Sequence, residues 1–116
     1  MSPDSTPDVR LVLTTEADSK TAGRLARELV ERRVVACATL VTVRSIYHWE
    51  GDIEDAAEVQ LQLKTTVARL DDLRDAIAEL HTYDLPEFLV LSPKANDAYG
   101  RWVNEAVMGR EATNAG

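Results

Sequence analysis

Few side chains in this chain could do chemistry beyond ordinary packing and charge. There is one cysteine, Cys37, and two histidines, His48 and His81. A lone thiol excludes an intrachain disulfide framework, and one Cys with two His cannot make a CxxC-type zinc site. Cys37 lies among Val34, Val35, Ala36 and Ala38, where a thiol reads either as a small buried hydrophobe or as a metal donor. His81 ends an apolar helical stripe, so its imidazole either caps the last carbonyls or serves as a ligand. His48 falls between Tyr47 and Trp49, and strand alternation turns it to the face opposite theirs, as a solvated histidine.

The remaining candidates are polar. Asp71, Asp75 and Glu79 follow i, i+4, i+8 spacing, which suits a wet helix face or a collector of cations. Tyr47 and Trp49 could stack on a ligand or fill an interface. Glu58, Lys64, Tyr83 and Glu87 stand near strand ends, where they either line a groove between subunits or pair on the surface. No GxSxG, P-loop, GxGxxG or HExxH occurs, and no Ser, His and acid trio stands out, so no catalytic template supports an enzyme.

The elements that position these residues follow from hydrophobic period. In a chain of 116 residues, 45% hydrophobic and 28% charged, one compact domain is expected. Thirteen Lys and Arg against twenty Asp and Glu give a net charge of −7, which argues against a nucleic-acid partner. The start MSPDSTPD has neither a basic region nor an apolar core, and no apolar run reaches the roughly 18 residues of a membrane span. Residues 1–8 and 109–116 are expected as solvated tails, with one domain over 9–108, in a reducing cytoplasm.

Within it, Val9, Leu11 and Leu13 alternate as a strand; Ala22, Leu25, Ala26, Leu29 and Val30 make a helical stripe, with Gly23 marking close packing. Val35 to Trp49 reads as a long strand turning at Glu50-Gly51-Asp52 into alternating Ala57, Val59, Leu61 and Leu63. Thr66 is placed to cap a second helix with Leu70, Leu73, Ile77 and Leu80 inside. EFLVLS forms a short strand, and Tyr99, Trp102, Val103, Ala106 and Val107 form a last buried stripe closed by Gly109. The class is α+β, a ferredoxin-like βαββαβ sandwich with an extended β-hairpin and an added C-terminal helix. Fifteen extended residues span about 50 Å, against a domain diameter of about 35 Å, so the hairpin overhangs. Its apolar tip and open edges call for a second subunit.

ACATL, SIYHWEGDIE, EVQLQLKT and HTYDLPEFLVL occur in this order, and together they resemble the CutA family of divalent-cation tolerance proteins over about Val9 to Val107. The resemblance implies a ferredoxin-like subunit, a tight homotrimer, a cytoplasmic setting, binding of copper or another divalent cation, no organic cofactor and no established catalysis. It maps the family's metal-linked cysteine onto Cys37 and its metal-linked histidine onto His81, donors suited to copper or zinc. Some members carry a second cysteine where this chain has Thr14, and the usual His-Pro-Tyr is here His81-Thr82-Tyr83. A similar trimeric plan occurs in PII signalling proteins, which bind small anionic ligands between subunits, and this is the second reading.

Overall fold

The computed structural model describes residues 8–108. The expected tails lie outside these residues except Asp8, whose carbonyl accepts the N–H of Val67 at 3.1 Å; Gly109 also lies outside. The order is β1 (Val9–Glu16), α1 (Ser19–Glu31), β2 (Cys37–Trp49), β3 (Asp52–Thr66), α2 (Leu70–Leu80), β4 (Leu89–Leu91) and α3 (Asp97–Met108). The strands form one antiparallel sheet in the order β2-β3-β1-β4. This is the expected ferredoxin-like fold with its added helix.

Period two sorts the sheet into two faces. Val12, Thr14 and Glu16 of β1 are buried, as are Leu61 and Leu63 of β3. Val12, Leu61 and Leu63 meet Ala22, Leu25 and Leu29 of α1 and Leu73 and Ile77 of α2 in the main core. Asp18 starts α1 by accepting the N–H of Thr21 at 2.8 Å, satisfying one of the orphan donors of the first turn. Gly23 is not a close-packing site, because a Cβ there would meet nothing within 4 Å. Val30 is exposed and does not join the core.

The start of α2 differs from expectation. A short 3₁₀ turn, Val67–Arg69, intervenes, and Thr66 makes no side-chain cap. Its hydroxyl is instead buried without a partner among the described residues.

Helix α3 packs on the other face of the sheet. Val9, Val103 and Val107 are buried yet stand outside the main core, and Arg33 anchors the helix by donating to the carbonyl of Ala106 at 2.9 Å. Its buried stripe is Gly100, Val103 and Val107. Tyr99 and Trp102, expected inside, are 40% and 47% exposed and pack on each other with ring centres 5.6 Å apart.

β2 and β3 pair along their whole length to Trp49 opposite Asp52. The turn is tight because Glu50 and Gly51 both have positive φ, 50° and 86°, a two-residue geometry that follows the twist of the strands. The molecule measures 54 × 26 × 21 Å with a radius of gyration of 15.6 Å, against about 13 Å for a compact domain of this length. The overhang expected from strand length is present.

Candidate functional site

One face of the overhanging hairpin and the segment between α2 and β4 enclose a cleft of about 730 Å³. Ser45, Tyr47 and Trp49 of β2 line it, since alternation sends all three to one side. His48, between them, is exposed and does not line the cleft. Opposite, β3 contributes Glu54, paired in register with Tyr47, and Glu58, paired with Val43. Tyr83, Asp84, Leu85, Pro86 and Glu87 supply the far wall.

Glu58 is only 7% exposed, and the Tyr83 hydroxyl donates to its Oε1 at 2.6 Å. A buried carboxylate needs such a donor. Burial and, next, the bond to Glu58 hold the Tyr83 phenol well above its ordinary range, so it stays a donor. Burial, and then the charge of Glu58, push the Glu87 carboxyl above its usual value. Among the described residues, none of Glu54, Glu58, Asp84 and Glu87 has a Lys, Arg or His ion-pair partner.

A buried hydrogen-bond cluster holds Tyr83 in place. His81 Nε2 lies 2.7 Å from the Thr15 carbonyl, and its Nδ1 accepts the N–H of Tyr83 at 3.0 Å. The imidazole thus ties the end of α2 to β1, and its Nδ1 also stands 3.4 Å from the buried Glu16 Oε2. It neither caps the helix carbonyls nor offers a free nitrogen to a metal. Glu16, fully buried, accepts both the Thr82 hydroxyl, at 2.5 Å, and the Thr82 N–H, at 3.1 Å. Proline at this position could donate neither, so the departure at Thr82 has a structural use.

The metal-linked pair is not brought together within one chain. Cys37 stands opposite Lys64, which stands opposite Leu11, whereas His81 bonds to Thr15. The two sites differ by about 13 Å along the strands and about 10 Å across two strands. Thr14 cannot stand in for a second thiol beside Cys37. It lies an odd number of residues from Leu11 and faces the helices, with a buried hydroxyl that has no partner among the described residues, while Cys37 faces the other side. Lys64 is likewise outside the cleft, six residues from Glu58 or about 20 Å along β3; it donates to Thr39 Oγ1 at 2.8 Å and stands 4.0 Å from the Cys37 sulfur. On α2, Glu79 pairs with Arg32, and Asp71 and Asp75 pair with Arg74. Among the described residues no three His, Cys, Asp or Glu are arranged to hold a metal ion.

Tyr47, Trp49, Glu58, Tyr83 and Glu87 do converge, and residues 10–106 match the family model described as CutA1 divalent ion tolerance protein. The chain belongs to the CutA1 family. It is 40% identical over 105 residues to the divalent-cation tolerance protein CutA of Salmonella newport, covering 89% of this chain and 91% of that one. The structure of CutA from Synechococcus elongatus PCC7942 superposes with a TM-score of 0.84 at 39% identity, covering 88% and 92% of the two chains. The PII-like protein CutA from Nostoc sp. PCC 7120, in apo form, superposes at 0.80 with 36% identity, over 84% and 96%. No described helix is long and apolar enough to cross a membrane.

Sequence reasoning missed Glu16, Glu54 and Asp84. For Glu16 the signal was available, since an even position on β1 shares the buried face of Val12 and Thr14. Glu54 shares the alternation that groups it with Glu58. Asp84 belongs to an irregular segment and carries no periodic signal.

Proposed function

We propose that this CutA1 protein acts in divalent-cation tolerance as a cytoplasmic homotrimer that binds divalent metal ions, copper among them, and that the ions are received in the acidic cleft rather than at Cys37 and His81. One observation carries the reading: four carboxylates without a basic partner among the described residues share a single cleft, while both ring nitrogens of His81 are already engaged. Glu58 and Glu87 offer oxygen donors, which suit Mn²⁺, Mg²⁺ or Cu²⁺ better than Cu⁺. Two donors do not complete a coordination shell, so water or a neighbouring subunit supplies the rest.

Assembly is supported by the uncovered edges. β2 runs 13 residues with a partner on one side only, and the opposite edge exposes Leu89, Val90 and Leu91. Long apolar edges are ordinarily covered by another chain. The PII-like alternative with an anionic ligand between subunits draws no support from this cleft, whose lining among the described residues includes no Lys or Arg.

Native mass spectrometry and calorimetry with MnCl₂ and CuSO₄ test both parts. The expected result is a three-subunit mass and metal uptake that falls about ten-fold in Glu58→Gln/Glu87→Gln but not in Cys37→Ser. A single-chain mass overturns the trimer. Uptake lost in Cys37→Ser and kept in the double variant overturns the site.

A further inference from the structure

His81 and Glu16 are titratable groups held in the interior, with side chains 1% and 0% exposed. Their own chain covers both, so a neighbouring subunit cannot uncover them. Neither hydrogen-bonds to Glu58 or Glu87 among the described residues.

The two ring nitrogens have different surroundings. The Thr15 carbonyl, 2.7 Å from Nε2, can only accept, so Nε2 carries a proton in either charge state of the ring. Nδ1 stands between a donor and an acceptor: the Tyr83 N–H at 3.0 Å and Glu16 Oε2 at 3.4 Å. A bare Nδ1 accepts from the first, and a protonated Nδ1 donates to the second. It cannot do both, because two N–H groups would then aim their hydrogens at each other.

Glu16 is equipped for the second state. Its Oε1 accepts the Thr82 hydroxyl at 2.5 Å and the Ala17 N–H at 3.4 Å, and its Oε2 accepts the Thr82 N–H at 3.1 Å. A lone pair of Oε2 is left for Nδ1. Among the described residues no Lys or Arg pairs with Glu16, so an imidazolium would supply the opposite charge. The other titratable groups near the ring are acids and phenols. Tyr83 packs on it with ring centres 5.0 Å apart, and Tyr83 in turn feels Glu58 of β3 and Tyr47 of β2. Glu79, in the last turn of α2, is held by Arg32.

We propose that His81 and Glu16 form a proton-operated latch on residues 82–87. With a neutral ring, Nδ1 holds the Tyr83 N–H and the segment is fastened to β1. When Nδ1 takes a proton from solvent, the new N–H turns to Glu16 and the Tyr83 N–H loses its acceptor. A buried N–H without an acceptor is costly, so the chain at Tyr83 moves until water satisfies it. The latch uses neither Glu58 nor Glu87 and stands whether or not the cleft receives metal ions.

Nitrogen NMR of the full chain tests it, from about pH 8 to about pH 5, the range in which histidine changes charge. His48→Gln leaves His81 as the one imidazole. Nδ1 is expected to gain a proton while Nε2 keeps its own. Over the same range the Tyr83 amide should exchange about ten-fold faster, once the intrinsic pH dependence of exchange is removed. Glu16→Gln keeps the size and an acceptor for Thr82 but not the charge, so it should move the midpoint to lower pH. If that variant does not fold, Glu16→Asp, which draws the carboxylate back from Nδ1, should move the midpoint the same way. Three results overturn the latch: no change of Nδ1 across the range, an unchanged midpoint in the Glu16 variant, or a Tyr83 amide that stays protected as the ring charges.

Discussion

Glu54 and Asp55 are neighbours on β3 that point to opposite faces of the hairpin, and the chain treats them differently. Asp55 meets Arg44 across the strands at 2.7 Å. On the same side of the molecule, Arg32 holds both Glu28 and Glu79, and Arg69 holds Asp72. Glu54 turns into the cleft beside Glu58, Asp84 and Glu87, where no arginine or lysine lines the wall. Exposed ion pairs add little stability, so the arginines chiefly remove repulsion. Their absence from the cleft leaves a negative field focused in a concave, partly apolar site. The helix face neutralises its acids, and the cleft leaves its own unpaired among the described residues.

The largest expected effect tests the stable side. Leu61 is fully buried between the sheet and the helices. Leu61→Ala should cost about 2–5 kcal/mol in urea unfolding, through lost burial and an unfilled cavity. Glu54→Gln, on the opposite side of the comparison, should leave stability within about 0.5 kcal/mol. A comparable loss from both would dissolve the distinction between a structural face and a receiving one.

The next effect belongs to the junction between the two regions. Thr82 donates twice to the buried Glu16, and Tyr83 beside it donates to Glu58 of the cleft. Thr82→Ala removes a hydroxyl bond to a carboxylate and should cost about 1–3 kcal/mol. Tyr83→Phe leaves the largely buried Glu58 without its donor and should cost a similar amount, but it should weaken cation binding more than Thr82→Ala does. Thermal melts and Mn²⁺ titrations of the two variants check the split; the opposite ranking would show that Tyr83 is structural and Thr82 belongs to the site.

How much of this was legible before folding depends on period. Strand alternation placed Tyr47 and Trp49 together and His48 apart, and strand length against domain size foretold the overhang. Helix α3 shows the limit. Its stripes at Tyr99, Trp102 and Ala106 and at Gly100, Val103 and Val107 are adjacent on the helix surface, about 100° apart. Val103 and Val107 of the second stripe are inside as expected, but the large aromatics wrongly extended the buried face to the first stripe, whereas the small Gly100 turns toward the sheet. His81 shows another limit. Its partners, the Thr15 carbonyl and the Tyr83 N–H, are backbone groups that any sequence possesses, so residue types could not announce them. The resemblance to CutA supplied the family, but donor types alone could not reveal that Cys37 and His81 lie at different ends of the sheet.

The smallest effect is a matter of sign. The bond to Arg32 lowers the Glu79 pKa below its ordinary 4.5. Glu79 therefore contributes stability above its ordinary pKa and loses it as pH falls through the folded value. Glu87 is raised from the same 4.5, by burial first and then by Glu58. Its contribution is present below the ordinary value and is lost as pH rises through the folded one. Near neutral pH, Glu79→Gln should therefore lower the Tm and Glu87→Gln should raise it. Below the folded value of Glu79, where both carboxyls are protonated in either state, each variant should converge on the parent. Melts from pH 7 to about pH 3 at fixed ionic strength measure both differences. Shifts of one sign in both variants would mean that the Glu87 carboxylate has a cationic partner, and the contrast between the two regions would then lose its electrostatic basis.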